Sequence, residues 1–258
     1  MPVRTDIIKS AKELGCCAII ATYNNSGTLR SVIEEVRNYL PDIIVVNDGS
    51  TDGTGEILSS IKYILVVSYI KNRGKGYALK QGFRLALKSG FRYAITIDSD
   101  GQHLPEEIPL FITKIQQYPD SLIVGSRLLV QENMPGGNTF ANKFSNFWFR
   151  LQTGINLPDT QSGFRLYPLK LMSGIHFLTN RYEAELEMLV RCAWKGFNLI
   201  SLPVEAYYPP IDQRVSHFRP VKDFMRISVL NTFVTILAFV YAYPRKFLVR
   251  LLWHRKRK

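Results

Sequence analysis

Residues 95–107, ITIDSDGQHLPEE, run an apolar segment straight into two aspartates, Asp98 and Asp100, with only Ser99 between them. Two carboxylates ~4 Å apart repel by about 4 kcal/mol at an effective dielectric of about 20, so a positive group is expected beside them. At the end of a strand this spacing lets both converge on a hard divalent cation, with the oxygens of a bound diphosphate completing its shell. A cation so placed offsets the charge that builds on a leaving diphosphate. The plainer reading of the same residues is an Asx turn that ends the strand.

Two arginines answer a different need. Arg127 in GSR and Arg165 in GFR carry guanidinium groups, which suit phosphate through paired, charge-assisted hydrogen bonds. Either could instead be a salt-bridge partner. The glutamates of YEAELE, Glu183, Glu185 and Glu187, read as a helix N-terminus favoured by its dipole, with catalysis the alternative. His103 reads as a loop hydrogen bonder.

These residues must be held by a frame, and its rhythm is visible. CAIIAT, DIIVVN, ILVVSY, YAITID and SLIVGS read as buried strands. Helical patterns lie between them: residues 28–39 place Leu29, Val32, Ile33 and Val36 on one face, and 76–88 do so with Leu79, Phe83 and Leu87. Strand and helix in alternation predict an α/β domain with a mostly parallel sheet. In such sheets ligands bind beyond the carboxyl ends of the strands, and TYNNSG, NDGSTDGT, KNRGKG and DSDGQH fall there. Residues 138–154 are expected to be helical, 159–168 a loop entering a short strand, and 183–195 a helix.

The six segments ATYNN, VVNDGSTDGT, NRGKGYALKQG, TIDSDGQH, VGSR and DTQSGFRLYP, in this order, resemble the inverting family-2 glycosyltransferases of the GT-A (Rossmann-like) fold, most of all dolichyl-phosphate or polyprenyl-phosphate mannose and glucose synthases. The resemblance spans about residues 16–208. It implies that Asp98, Asp100 and Gln102 hold Mg²⁺ or Mn²⁺. It further implies that Asp48 contacts the nucleobase, that Tyr23 and Asn25 lie in the nucleotide-binding first loop, and that Lys75 lies near the nucleotide. Arg127 and Arg165 would meet the phosphate of a lipid acceptor. The chain departs from the family pattern at two positions: Asn25 stands where a glutamate is usual, and Asn47 where the first aspartate of Asp-Asp-Gly-Ser is usual.

A formal net charge of +12 over 258 residues calls for anionic partners. Much of the basic excess follows residue 213, beside apolar sequence, which favours a membrane surface over nucleic acid. Residues 227–244 carry no charge, and as a helix would be about 27 Å long, against a hydrocarbon core of about 30 Å. They could span a membrane or lie against the protein with Ser228, Asn231, Thr232 and Thr235 on one face. RKFLVRLLWHRKRK beyond them reads as an interfacial segment with a polybasic end. The basic stretch with Arg214, His217, Arg219, Lys222 and Arg226 is either an acceptor loop or a solvated linker. Three cysteines without paired spacing and an N-terminus without an apolar signal core predict a reducing, cytoplasmic setting.

The expected organisation is a GT-A catalytic domain over 1–222 and a membrane-associated helical segment over 223–258. The expected function is transfer of a hexose from a GDP-mannose or UDP-glucose type donor to a polyprenyl phosphate, at the cytoplasmic membrane face, with homo-oligomerisation left open. The alternatives are another lipid or glycan acceptor, a non-catalytic partner in a membrane assembly, and a nucleic-acid-binding module.

Overall fold

The computed structural model describes residues 4–127, 136–208, 220–245 and 247. Helix α1 (Arg4–Leu14) leads into strand β1 (Cys16–Thr22), followed by α2 (Leu29–Arg37), β2 (Ile43–Asn47), α3 (Thr54–Ser60) and β3 (Leu65–Ser68). Then come α4 (Lys75–Lys88), β4 (Tyr93–Asp98), a 3₁₀ turn (Pro105–Glu107), α5 (Ile108–Gln117) and β5 (Ser121–Arg127). The second half holds α6 (Gly136–Thr153), β6 (Arg165–Pro168), α7 (Leu169–Met172), α8 (Glu183–Lys195), β7 (Asn198–Val204) and α9 (Pro220–Leu237). A π-helical turn, Ala238–Ala242, continues α9.

The strands form one seven-stranded sheet in the order β3-β2-β1-β4-β6-β5-β7. All neighbours are parallel except β6, which runs against both β4 and β5. In β1, Cys17 and Ile19 join the core under α4 and α8, while Ala18 and Ile20 join the core under α1, α2 and α5. Both faces of the sheet are therefore covered, which is why its strands read as unbroken apolar runs rather than alternating ones.

Register gathers the polar motifs at one edge. Thr22 pairs with Asn47, Asn47 with Ser68, and Ala21 with Asp98, so the first four strands end nearly level. Because β6 is reversed, its first residue, Arg165, lies between Thr96 of β4 and Val124 of β5. The loop that precedes β6 is thereby delivered to the same edge as Asp98 and Arg127.

Three expectations need correction. Strand β3 sits at the edge of the sheet with Leu65 45% exposed, so ILVVSY is a strand but not a buried one. Leu87 is exposed; α4 buries Gly76, Ala78, Leu79, Gly82, Phe83 and Ala86 instead. Small residues dominate that face because the helix approaches closely: a Cβ on Gly82 would lie 2.6 Å from Ile19 Cγ2. Of the face expected on residues 227–244, Asn231 is buried but Thr232 is exposed.

Helix α9 packs against α6 and α8 through Asp223, Leu230, Asn231, Val234, Ala238 and Ala242. Gln152 Nε2 of α6 donates to Asn231 Oδ1 (3.0 Å) and Thr235 Oγ1 (3.2 Å), and Tyr243 Oη donates to Leu151 O (2.7 Å). The outward side carries Met225, Val229, Phe233, Ile236, Phe239 and Val240, all exposed. By length and composition Lys222–Arg245 could cross a membrane. Arg214, His217, Arg219 and the polybasic end lie outside the described residues.

Candidate active site

Three loops are tied together at the Asp98 edge of the sheet. Thr28 Oγ1 donates to Ser99 O (2.6 Å) and Asn25 Nδ2 to Ser99 Oγ (2.6 Å), so the loop after β1 is tied to the one after β4. Asn24 adopts a left-handed φ of 51°, which asparagine tolerates better than most residues. Its side chain accepts the Thr51 N–H (2.8 Å), and its own N–H reaches Ser50 Oγ (2.9 Å). Asn47 Oδ1 accepts the Ser50 N–H (3.0 Å) and closes the turn after β2.

Asp98 ends β4 with its backbone N–H donated to His103 Nδ1 (3.0 Å). That bond leaves the other ring nitrogen to carry the proton of the neutral imidazole. Burial pushes the His103 pKa down to about 4, and its ring stacks on Phe164 at 5.2 Å. Asp98 Oδ1 lies 2.7 Å from Lys75 Nζ at the start of α4, and Lys75 Nζ lies 3.0 Å from Glu185 Oε2 in the first turn of α8. Burial works against charge on Asp98, yet Lys75 brings its pKa down to about 2. Burial likewise opposes the charged Lys75, but Asp98 and Glu185 hold its pKa above the ordinary lysine value. Asp100 has no such neighbour: burial and then the Asp98 charge push it up to about 6, although the Gln102 N–H donates to its Oδ1 (3.0 Å).

Gly163 closes over this group. A Cβ there would lie 2.9 Å from Lys75 Nζ, 3.0 Å from Asp98 Oδ2 and 3.0 Å from Glu185 Oε1, so only a residue without a side chain leaves the three charges in place.

Arg127, at the end of β5, grips Asp159 with two nitrogens, Nε (2.7 Å) and Nη2 (3.1 Å). Asp159 is fully buried and also takes the Asn142 side-chain amide and the Gln161 and Ser162 N–H groups. Nη1 of Arg127 makes no hydrogen bond among the described residues, and the guanidinium is close enough to Asp98 for their charges to interact.

The fold agrees with the comparisons. The model of Glycosyl transferase family 2 matches residues 17–174. The chain belongs to glycosyl transferase family 2. Among its relatives is the UDP-N-acetylglucosamine–dolichyl-phosphate N-acetylglucosaminyltransferase of Methanococcus voltae, 29% identical over 74% of this chain and 84% of that protein. Others are the polyprenol monophosphomannose synthase of Mycolicibacterium smegmatis (27%, covering 72% and 75%) and the undecaprenyl-phosphate mannosyltransferase of Micrococcus luteus (27%, covering 72% and 81%). A solved structure of glucosyl-3-phosphoglycerate synthase from Mycobacterium tuberculosis, with Mn²⁺, UDP and phosphoglyceric acid, superposes with a TM-score of 0.68 at 18% identity over 92% of this chain and 83% of that one. At that identity the likeness establishes the GT-A fold.

Within this family-2 frame the residues singled out by sequence divide. Asp98, Asp100, Gln102 and Lys75 come together, with Arg127 beside them, and Asn25 is linked to them through Ser99. Tyr23 is half-buried on the same first loop. One expected contact is not available. Arg165 was expected to meet a phosphate, but it is fully buried: Nε donates to Ser162 O (2.7 Å), Nη1 to Glu185 O (2.7 Å) and Tyr167 Oη (3.3 Å), and Nη2 to Thr160 O (3.0 Å). It braces the loop before β6 from inside. Asp48, expected at the base, accepts the Arg73 N–H (2.8 Å), the Gly74 N–H (2.7 Å) and Asn72 Nδ2 (2.9 Å). Burial raises its pKa, and these bonds fix the loop that delivers Lys75. Gly49 (φ +74°) permits that closeness, since a Cβ there would lie 2.6 Å from Asn72 N.

Glu185, Gly163 and Asp159 carry roles that sequence reasoning missed. Glu187 is structural: its carboxylate takes the Leu178 and Thr179 N–H groups (2.9 and 2.8 Å).

Proposed function

We propose that this family-2 glycosyltransferase moves a hexose, mannose or glucose, from a GDP- or UDP-sugar to a polyprenyl phosphate, with inversion, at the cytoplasmic membrane face. The observation that carries the reading is the state of the acids. Asp98 and Asp100 suit a divalent cation, whereas Glu185 is ion-paired to Lys75 and is not a free base. An acceptor that is already anionic needs positioning and charge stabilisation rather than deprotonation, as a phosphate is and a hydroxyl is not. The relatives named for dolichyl-, polyprenyl- and undecaprenyl-phosphate chemistry support the same class of acceptor.

The donor set fits Mg²⁺ or Mn²⁺. Two carboxylates lie on one turn, and one of them already attracts a cationic stand-in, the Lys75 ammonium at 2.7 Å. Among the described residues no group of three or more His, Cys, Asp or Glu could hold a metal, which suits an ion that keeps waters and takes substrate phosphate oxygens. Asp98, Asp100 and the Gln102 amide would hold it, and when bound it offsets the charge on the leaving diphosphate. Arg127, locked on Asp159, presents its remaining edge to the acceptor phosphate. Asn25 and Tyr23 line the nucleotide side.

Helix α9 supports membrane attachment, because its outward side still carries Met225, Val229, Phe233, Ile236, Phe239 and Val240 after the inward side has packed on the domain. Between α8 and α9 runs a groove of about 410 Å³ lined by Leu178, Met225, Val229 and Phe233, with Glu183 at its wall. Its largely apolar lining suits isoprene units of the acceptor. Residues 223–258 are accordingly proposed as the attachment segment of a catalytic domain over 1–222.

The test is incubation of the protein in membranes with labelled GDP-mannose, UDP-glucose and UDP-N-acetylglucosamine, adding polyprenyl phosphate or polyprenol. Label from one donor is expected in an organic-extractable, mild-acid-labile lipid with the phosphate only. Better transfer to polyprenol or to a free sugar would overturn the acceptor assignment.

A further inference from the structure

Lys75 stands in an unusual place for a residue of a nucleotide loop. Its ammonium is nearly equidistant from Asp98 Oδ1 (2.7 Å) and Glu185 Oε2 (3.0 Å), and the bare backbone of Gly163 leaves room for it there. Asp98 is one of the two carboxylates that would take a divalent cation, so lysine and metal compete for the same oxygen. Among the described residues the Glu185 carboxylate forms an ion pair with Lys75 alone, and its backbone carbonyl is bound by the Arg165 guanidinium, whose charge interacts with it. Its carboxylate is therefore fixed in front of Lys75 by the helix that carries it.

We infer that Lys75 is the resident counter-cation of the Asp98 carboxylate and that Glu185 is the second berth that lets it withdraw, so that the pair sets how tightly the site takes a divalent cation. The inference rests on the metal-dependent reading of Asp98 and Asp100. Charge supports it. With all three acids ionised, Asp98, Asp100 and Glu185 against one ammonium leave two negative charges, the number that one divalent cation brings. With the cation absent, Lys75 shields Asp98 from Asp100 and from burial. With the cation on Asp98, the ammonium is repelled, and Glu185 keeps it paired inside the protein instead of leaving a buried charge alone, which is costly. Glu185 is a positioning residue in this scheme, acting on the metal site through Lys75.

The scheme predicts shifts of opposite sign in variants that a purely structural role would not separate. Glu185→Gln removes the second berth and one negative charge, leaving Lys75 on Asp98 alone; Mn²⁺ should bind about tenfold more weakly. Lys75→Met with Glu185→Gln removes one charge of each sign, so the net charge of the site is unchanged while the competitor is gone. Loss of a charge-assisted contact of this kind corresponds to a factor of about ten or more, so this double variant should bind Mn²⁺ about tenfold more tightly than wild type. The measurement is titration of the full chain with Mn²⁺ alone, reading the free ion by electron paramagnetic resonance, with melting curves as the check on folding. Asp100→Asn identifies the site and should abolish binding. Wild-type binding that Asp100→Asn removes, together with a double variant no tighter than wild type, overturns the inference and leaves the metal reading standing. Absence of wild-type binding that depends on Asp100 overturns both. If the double variant does not fold, Glu185→Gln decides: unchanged or tighter binding overturns the inference.

Discussion

Replacing Arg165 by methionine separates a bracing role from a phosphate-binding one. The side chain is fully buried in the central, reversed strand β6, and its donors serve the carbonyls of Thr160, Ser162 and Glu185 and the Tyr167 hydroxyl. Hydrogen bonds to a charged group contribute about 1.5–3 kcal/mol each, but bonds from one guanidinium do not add independently. Methionine fills similar volume and takes the guanidinium from the Thr160 and Ser162 carbonyls, while the Glu185 carbonyl keeps its place in the α8 ladder; at about 1–3 kcal/mol for each buried group left unpaired, with non-additivity, the expected loss is about 3–5 kcal/mol. For a chain of this size 1 kcal/mol shifts melting by about 2–4 °C, giving a fall of about 6–20 °C. Thermal unfolding followed by far-UV circular dichroism reads this directly. Arg165→Lys should fall nearly as far, since an ammonium cannot reach three carbonyls in a planar fork. A variant that melts within about a degree of wild type, while its KM for polyprenyl phosphate rises about tenfold, would show that the guanidinium serves the acceptor and that bracing is the wrong account.

Three further outcomes follow from the site. Asp100→Asn should abolish transfer yet raise stability, because the folded-state pKa of about 6 against 3.8 means the ionised form opposes folding above about pH 6 and costs nothing below pH 3.8; with solvent screening of a partly exposed group the gain is about 1–2 kcal/mol, read as a melting shift at pH 8 that vanishes at pH 3.5. For His103 the sign is reversed: its folded value of about 4 against 6.5 gives stability that is present above pH 6.5 and lost as pH falls toward 4, of order 3 kcal/mol, so urea midpoints of His103→Gln should show a flatter pH dependence across that window. Gly163→Ala should leave melting within about 1 kcal/mol of wild type, since the new methyl meets only the ends of three flexible side chains, but should lower transfer at least tenfold by displacing Lys75 and Asp98; wild-type transfer by this variant would mean the three charges need not be held where they are.

Most of the sheet was legible because a parallel strand covered on both faces must be apolar throughout, and β1, β2, β4 and β5 are. The same rule explains the misreading of β3, for an apolar run signals a strand without saying what covers it, and Leu65 and Val66 are exposed at the sheet edge. Leu87 was assigned to a buried face on helical spacing alone, whereas α4 makes its contacts with Gly76, Ala78 and Gly82, residues that hydrophobic periodicity undervalues. The reversed direction of β6 is non-local and leaves no mark within RLYP. That single reversal decides the fate of Arg165: the residue type suits phosphate, but the pairing of β6 between β4 and β5 buries it.

The acidic half of the site was legible in DSDGQ because both carboxylates sit within one short segment, whereas the pairing of Glu185 was not, because its partner Lys75 comes from a distant helix. The two asparagines that depart from the family pattern become intelligible only with the loops in place. Asn47 accepts a single N–H from Ser50, a task asparagine and aspartate perform alike. Asn25 does something a glutamate cannot: its amide donates to Ser99 Oγ (2.6 Å), and an ionised carboxylate has no proton to give. Ser99 lies between Asp98 and Asp100, so a glutamate at position 25 would bring a further negative charge beside two carboxylates of which only one is neutralised by Lys75. Asn25→Glu should therefore push the Asp100 carboxyl further above its usual range, and any link to Ser99 would have to reverse, with the hydroxyl donating. The neutral amide keeps that link and leaves the charge of the site matched to one divalent cation.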